Sequence, residues 1–126
     1  MVKSTNVVAA IIKKNNQYLI VQRNKNKHLG LKWEFPGGKV DKNESFESAL
    51  KREIQEELSI EINIYKKIAE ETYKDEKIDI ILHYYLSSQK NGTITLSEHE
   101  NLAWVEKKDF EKYDFAEGDG NILSLL

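Results

Sequence analysis

One stretch of the chain carries an apolar side chain at every fourth position: Phe46, Leu50, Ile54 and Leu58. This spacing predicts an amphipathic helix that buries one face. Ser45 comes directly before the stretch and is a good N-cap residue, while Glu47 places negative charge at the helix N-terminus, where the helix dipole favours it. We therefore expect a helix that begins after Ser45 and packs one side against a core.

Two apolar runs near the N-terminus, at 7–12 and 18–21, are rich in Val and Ile and predict strands. Asn15 and Asn16 lie between them and suit a tight turn, so the two runs are expected to form a hairpin. The first run does not alternate between apolar and polar residues. A strand of that kind is buried on both faces, which predicts a sheet that is covered on each side.

The later elements follow from shorter patterns: strands at 61–72, 78–86 and 102–105, a turn at 89–92, a short helix at 107–113 and an apolar helix at 121–126. The first two of these strands are separated by a charged turn and are expected to pair in antiparallel fashion. With its early hairpin and helix, the chain predicts a mixed α/β fold, and nothing in it resembles a linker or an internal repeat.

Composition narrows the class of protein. At 126 residues we expect one domain over residues 1–126, and the net charge of −2 argues against a basic nucleic-acid surface or a membrane-binding face. The chain has no cysteine, so disulfides are excluded. The N-terminal apolar run is too short for a signal peptide or a membrane span, so we expect a cytoplasmic protein.

The polar face of the predicted helix concentrates acidic side chains. Glu53, Glu56 and Glu57 are spaced i, i+3 and i+4, which places three carboxylates on one face. Two such charges about 5 Å apart repel by roughly 3 kcal/mol at an effective dielectric near 20. A hard cation such as Mg²⁺ or Mn²⁺ would turn that repulsion into attraction, and Mg²⁺ commonly completes its shell with substrate phosphate. The alternative is an ordinary solvated acidic face.

Residues 38–60, GKVDKNESFESALKREIQEELSI, resemble the Nudix box, G-x5-E-x7-R-E-U-x-E-E-x-G-U, in which U is a bulky aliphatic residue. The one departure is Ser59, which stands where the family has Gly and puts the end of the helix in question. The preceding EFPGGK resembles the MutT-like branch of the family. The resemblance implies a Nudix fold, α/β (α+β), in which a central mixed sheet lies between helices.

The resemblance also implies a set of site residues. Those expected to hold Mg²⁺, or Mn²⁺ in its place, are the Gly37 carbonyl and the carboxylates of Glu53, Glu56 and Glu57. Arg52 would orient one of these carboxylates, and Glu44 would also have a supporting role. The later pattern E-H-x-x-x-x-W-V implies that Glu98 is an additional metal ligand or the general base. Glu100 would take that role if the register shifted by two residues.

Four further residues are expected to bind substrate. Arg23, in a polar loop, is predicted to contact phosphate or sugar, and Lys39 to contact phosphate. Phe35 is predicted to flank a nucleobase, and Asp119 to read its edge. The alternatives are an exposed strand-end charge for Arg23, a solvated lysine for Lys39, a core aromatic for Phe35 and a Gly-Asp-Gly turn for Asp119.

The function that the resemblance implies is Mg²⁺-dependent hydrolysis of a nucleoside triphosphate to a monophosphate and pyrophosphate. Within the family the chain is most similar to MutT-like enzymes that remove 8-oxo-dGTP. A CTP or modified-pyrimidine substrate is the alternative, and a non-catalytic ligand-binding module is the alternative from another class. The expected partner is a small nucleotide rather than a polymeric nucleic acid or a membrane, and the expected state is a monomer or a weak homodimer.

Overall fold

A computed structural model describes residues 4–27, 29–116 and 121–126. Over these residues the chain forms seven strands, one α-helix and two 3-10 helices. In chain order they are β1 (Thr5–Lys14), β2 (Gln17–Gln22), β3 (Trp33–Glu34), β4 (Gly37–Lys39), α1 (Phe46–Leu58), β5 (Glu61–Lys74), β6 (Asp79–Asn91), β7 (Asn101–Glu106), and 3-10 helices at Lys107–Lys112 and Ile122–Leu125.

The sheet is organised around β1, in the strand order β3-β2-β1-β6-β5. On one side β1 pairs with β6 in parallel, and β6 pairs with β5 in antiparallel fashion. On its other side β1 is shared, because its first half pairs with β4 and its last residues pair with β2, which also carries β7. The predicted hairpin between the first two strands is confirmed, and the sheet is mixed as expected.

Alternate residues of β1 pack into two separate cores. Val8, Ala10 and Ile12 face α1 and join a cluster with Leu50, Ile54 and Leu58 of the helix. Ala9 and Ile11 face the opposite side and join a cluster that holds Phe35, Phe110 and Ile122. The expectation that β1 is buried on both faces is therefore confirmed. The second layer, however, is built from the two 3-10 helices and aromatic side chains rather than from a second α-helix.

A serine sets each end of α1 through a local hydrogen bond. The Ser45 side chain accepts a hydrogen bond from the Ser48 backbone N–H at 3.1 Å, which confirms the predicted N-cap. At the other end Ser59 adopts the left-handed conformation, with φ 61° and ψ 31°, and donates its backbone N–H to the Gln55 carbonyl. Ser59 therefore ends the helix in the conformation that glycine usually supplies.

Two expectations from the sequence are wrong in detail. Residues 89–91 of the turn predicted at 89–92 are instead the end of β6, because Gln89 and Asn91 pair with the start of β5. The apolar C-terminal helix is reduced to the 3-10 helix Ile122–Leu125. No helix in the described part of the chain is long and apolar enough to cross a membrane.

Candidate active site

A cleft of about 550 Å³ lies beside α1, where β1, β3 and β4 meet the loop before β7. Most of the predicted site residues line it together: Arg23, Phe35, Gly37, Lys39, Glu53, Glu56, Glu57 and Glu98. Apolar residues also line it, including Ile80 and Leu82 of β6. The cleft thus has an acidic end at the helix and an apolar end over the sheet.

The acidic end is placed by the contact between α1 and the glycines of β4. A Cβ atom at Gly38 would overlap the Glu53 carboxylate, and one at Gly37 would overlap the Val8 carbonyl of β1. Only glycine at position 37 therefore lets this strand lie so close to β1, whereas a side chain at position 38 would have to displace the Glu53 carboxylate. The two glycines that follow the single proline thus bring backbone against the acidic end of the cleft.

Arg52 hydrogen-bonds three carboxylates, those of Glu44, Glu53 and Glu56. Its Nε and Nη2 donate to the two oxygens of Glu44 at 2.7 and 3.0 Å, which is a two-point contact that the planar guanidinium favours. Its Nη1 donates to Glu53 at 3.0 Å and to Glu56 at 3.2 Å. The hydrogen bond from Arg52 lowers the pKa of Glu44. Arg52 therefore contacts Glu53 and Glu56 from outside the cleft lining, and Glu44 holds Arg52 in place.

Glu57 is the most perturbed of the acidic residues. Only 7% of it is exposed, and one carboxylate oxygen, Oε2, is buried without a hydrogen-bond partner. Burial, and then the negative charges of Glu53, Glu34 and Glu98, raise its pKa to about 9. Burial also raises the pKa of Glu53, although the adjacent Arg52 opposes that shift. Burial and mutual repulsion therefore make it unfavourable for these carboxylates all to be ionised without a cation.

Glu98 reaches the cleft from a short segment before β7. The Ser97 hydroxyl donates to the Glu56 carbonyl at 2.9 Å, and the Ser97 backbone N–H donates to the Glu57 carbonyl at 3.2 Å. Glu100 donates its backbone N–H to the Gln22 carbonyl and does not line the cleft. The structure thus brings Glu98, rather than Glu100, into the cleft with the helix carboxylates.

Glu34 and His99 also line the cleft, and sequence reasoning missed both. One Glu34 oxygen accepts a hydrogen bond from Arg23 Nη1 at 2.9 Å, and the other contacts His99 Nε2 at 3.1 Å. The only available signal was their position, because each is next to a residue singled out by its motif: Glu34 before Phe35, and His99 after Glu98. Their contact with each other spans 65 residues and has no sequence signature.

The substrate-binding predictions fall in different places. Lys39 lines the cleft beside the carboxylates. Phe35 also lines it but is only 3% exposed, because its ring packs against Tyr84 and Phe110 in the core. The core alternative therefore accounts for most of the Phe35 surface. Asp119 lies outside the described residues.

The donor set fits a hard divalent cation. The buried, unpartnered oxygen of Glu57 needs a positive partner, and the neighbouring donors are carboxylate and backbone oxygens. As the side chains stand, no three acidic or histidine residues within the described ranges converge on one point. Arg52 holds one oxygen each of Glu53 and Glu56. The second oxygen of each carboxylate lies outside that contact.

The mixed sheet and the carboxylate-bearing helix α1 agree with the Nudix fold that the sequence motif implied. The family comparison agrees, because the model described as "NUDIX domain" matches residues 3–126. The chain belongs to this family.

Three individual proteins illustrate the similarity. The CTP pyrophosphohydrolase of Escherichia coli (strain K12) is 35% identical over 124 residues, which cover 98% of this chain and 92% of that protein. An 8-oxo-dGTP diphosphatase of Buchnera aphidicola subsp. Schizaphis graminum is 33% identical over 98% of this chain and 94% of its own. The solution structure of the DNA mismatch repair protein MutT (family Nudix hydrolase) from methicillin-resistant Staphylococcus aureus 252 superposes with a TM-score of 0.80 at 34% identity, covering 99% and 96% of the two chains.

Proposed function

We propose that this protein is a Mg²⁺-dependent nucleoside triphosphate pyrophosphohydrolase that releases a nucleoside monophosphate and pyrophosphate, with 8-oxo-dGTP as its leading substrate. The observation that carries the proposal is the buried, unpartnered oxygen of Glu57 within a carboxylate cluster. That cluster opens onto a cleft that also presents Arg23 and Lys39. Anionic groups that would hold a metal ion and cationic groups that would face phosphates thus line one site.

The proposed mechanism divides the work among the chain's own residues. The carboxylates of Glu53, Glu56 and Glu57 and the Gly37 carbonyl would hold the cation. Mg²⁺, or Mn²⁺ in its place, would neutralise phosphate charge and help to activate water. Glu98 would serve as a further ligand or as the general base that accepts the proton of the attacking water.

Other residues would position the helix carboxylates or bind the substrate. Arg52, supported by Glu44, would keep the helix carboxylates in register. Arg23 and Lys39 would contact the phosphates. Most of the rate enhancement would then come from positioning and charge stabilisation, as in other phosphoryl transfers.

The nucleobase would lie at the apolar end of the cleft. Phe35, Ile80 and Leu82 provide apolar surface there, which suits a planar base. Asp119 is proposed to read the base edge, since a carboxylate accepts hydrogen bonds from purine N–H groups.

A second substrate deserves a direct comparison. The E. coli relative that is 35% identical over nearly the full length carries the name CTP pyrophosphohydrolase. A CTP or modified-pyrimidine nucleotide is therefore the alternative substrate within the same reaction. In both cases the partner is a small nucleotide, and a monomer or weak homodimer remains the prediction for the assembly.

The test is pyrophosphate release from a panel that contains 8-oxo-dGTP, dGTP, CTP and a modified pyrimidine triphosphate, with Mg²⁺ and with EDTA. Glu53→Gln and Glu57→Gln should each abolish most of the Mg²⁺-dependent turnover without unfolding the protein. Glu47→Gln is the matched control, because Glu47 is an exposed acid on the same helix outside the cleft. Nucleotide binding without turnover on any substrate would instead identify a non-catalytic module.

A further inference from the structure

Glu34 joins two parts of the cleft that are far apart in the sequence. Its Oε1 accepts from Arg23 at the end of β2, and its Oε2 contacts His99 before β7. The side chains are largely shielded from solvent, with exposures of 19% for Glu34, 26% for Arg23 and 7% for His99. Both oxygens of one carboxylate are thus engaged by neighbouring walls of the cleft.

The chemistry of a carboxylate sets the direction of the hydrogen bond between Glu34 and His99. An ionised carboxylate only accepts, so His99 Nε2 must donate to Glu34. The other ring nitrogen of His99, Nδ1, is buried without a hydrogen-bond partner. His99 is therefore held through Nε2 alone, and the Glu34 contact fixes the ring.

The contact between His99 and Glu34 affects Glu98, the residue that precedes His99. Glu98 is adjacent to it in the chain, and the segment has an anchor on each side of Glu98: Ser97 hydrogen-bonds carbonyls of the last turn of α1, and His99 contacts Glu34. A carboxylate between two fixed points has little freedom to leave the cleft. Loss of either anchor would let the Glu98 backbone shift.

We propose that Glu34 and His99 are positioning residues that hold Glu98 at the reacting phosphate. This inference rests on the proposed function, because it assigns a purpose to Glu98 in that reaction. It differs from a direct role for Glu34 as a metal ligand, since both Glu34 oxygens are already engaged. The two residues act through Glu98 and contact neither water nor phosphate themselves.

The kinetic test is a double-mutant cycle. His99→Asn, whose side chain is too short to reach Glu34, should lower kcat by about 10- to 100-fold, the usual effect of losing an orienting partner, while the nucleotide KM stays nearly unchanged. In a Glu98→Gln background the same substitution should cause no further loss. Losses that multiply would show that His99 acts independently of Glu98 and would overturn the proposal.

Conservative and control variants sharpen the test. Glu34→Ala should lower kcat as much as His99→Asn, whereas Glu34→Gln should retain more activity, because its amide can donate to a neutral His99 while its oxygen accepts from Arg23. Glu100→Gln should leave kcat unchanged, because Glu100 is exposed and outside the cleft. A loss of Mn²⁺ affinity on Glu34→Gln that persists in the Glu98→Gln background, measured by titration, would make Glu34 a ligand and would also overturn the proposal.

A readout independent of turnover is the tautomer of His99, observed by long-range ¹H–¹⁵N NMR. The wild-type ring should carry its proton on Nε2, and Glu34→Gln should move it to Nδ1, because the amide now donates to Nε2. Identical spectra for His99 in both proteins would refute the hydrogen-bond link even if the enzyme is active. The tautomer change in a protein that hydrolyses no nucleotide would support the link and refute the proposed function.

Discussion

Replacing the titratable carboxyl group of Glu57 with an amide should stabilise the metal-free protein at neutral pH, although the same change destroys the proposed metal site. Burial and three neighbouring carboxylates raise the Glu57 pKa from its ordinary value of 4.5 to about 9. Between these pH values, Glu57 has released its proton in the unfolded chain but retains it in the folded protein. The unfolded state is therefore favoured progressively as the pH rises.

The size of the effect follows from linkage. A group whose folded pKa is raised contributes its full stability below the unfolded pKa, and that stability is lost as the pH approaches the folded value. Each pH unit in this window costs about 1.4 kcal/mol, so Glu57 alone should lower the unfolding free energy by on the order of 4 kcal/mol between about pH 5 and pH 8. That is a large part of the roughly 5–15 kcal/mol that stabilises a typical domain.

Urea unfolding in EDTA across this pH range measures the slope for wild type and for Glu57→Gln. The variant should be flatter, and at the alkaline end it should be more stable than wild type, because an amide has no proton to lose. Adding Mg²⁺ should stabilise wild type most at the alkaline end, since the cation competes with protons for Glu57. Glu61→Gln, an exposed acid outside the cleft, should keep the wild-type slope. Equal slopes in wild type and Glu57→Gln would refute this account of the site.

Two further predictions concern the backbone around the site. Ser59→Gly should raise the unfolding free energy by about 0.5–1 kcal/mol, because Ser59 has φ 61° and glycine adopts that conformation without a Cβ penalty; unchanged stability in urea unfolding would contradict this. Gly38→Ala should weaken Mn²⁺ binding, measured by calorimetry, because its methyl group would displace the Glu53 carboxylate, and unaltered affinity would show that this close approach is not needed.

Local patterns predicted the parts of the fold that local chemistry determines. The helix, its Ser45 cap and its buried stripe follow from residues within a few positions of one another. The doubly buried β1 followed from its unbroken apolar run. The end of β6 was mistaken for a turn because its strand character comes from pairing with β5, about 30 residues earlier in the chain, and not from its own polar sequence. Pairing at that distance has no local pattern.

In the candidate site, too, local spacing could be predicted from the sequence and contacts between distant segments could not. The box spacing predicted the helix carboxylates and Arg52, and the structure brings them together as the spacing requires. The doubt over the helix end at Ser59 is answered by its left-handed backbone. The link from Glu34 to His99 could not be predicted, because it depends on how β3 and the segment before β7 meet across the sheet. Residues of this kind become visible only when the distances are known.

The two arginines of the chain also indicate that the orientation of Glu34 is important. The chain has 19 basic residues, and only positions 23 and 52 are arginine. Each hydrogen-bonds a carboxylate at the candidate site: Arg52 binds Glu44 through two nitrogens, and Arg23 binds Glu34. A planar guanidinium can hold one carboxylate and still direct further N–H groups elsewhere, which a lysine ammonium does with less geometric control. Arginine is thus found where an acidic side chain must be held in a fixed orientation, and this singles out Glu34, like Glu44, as a residue whose orientation serves the cleft.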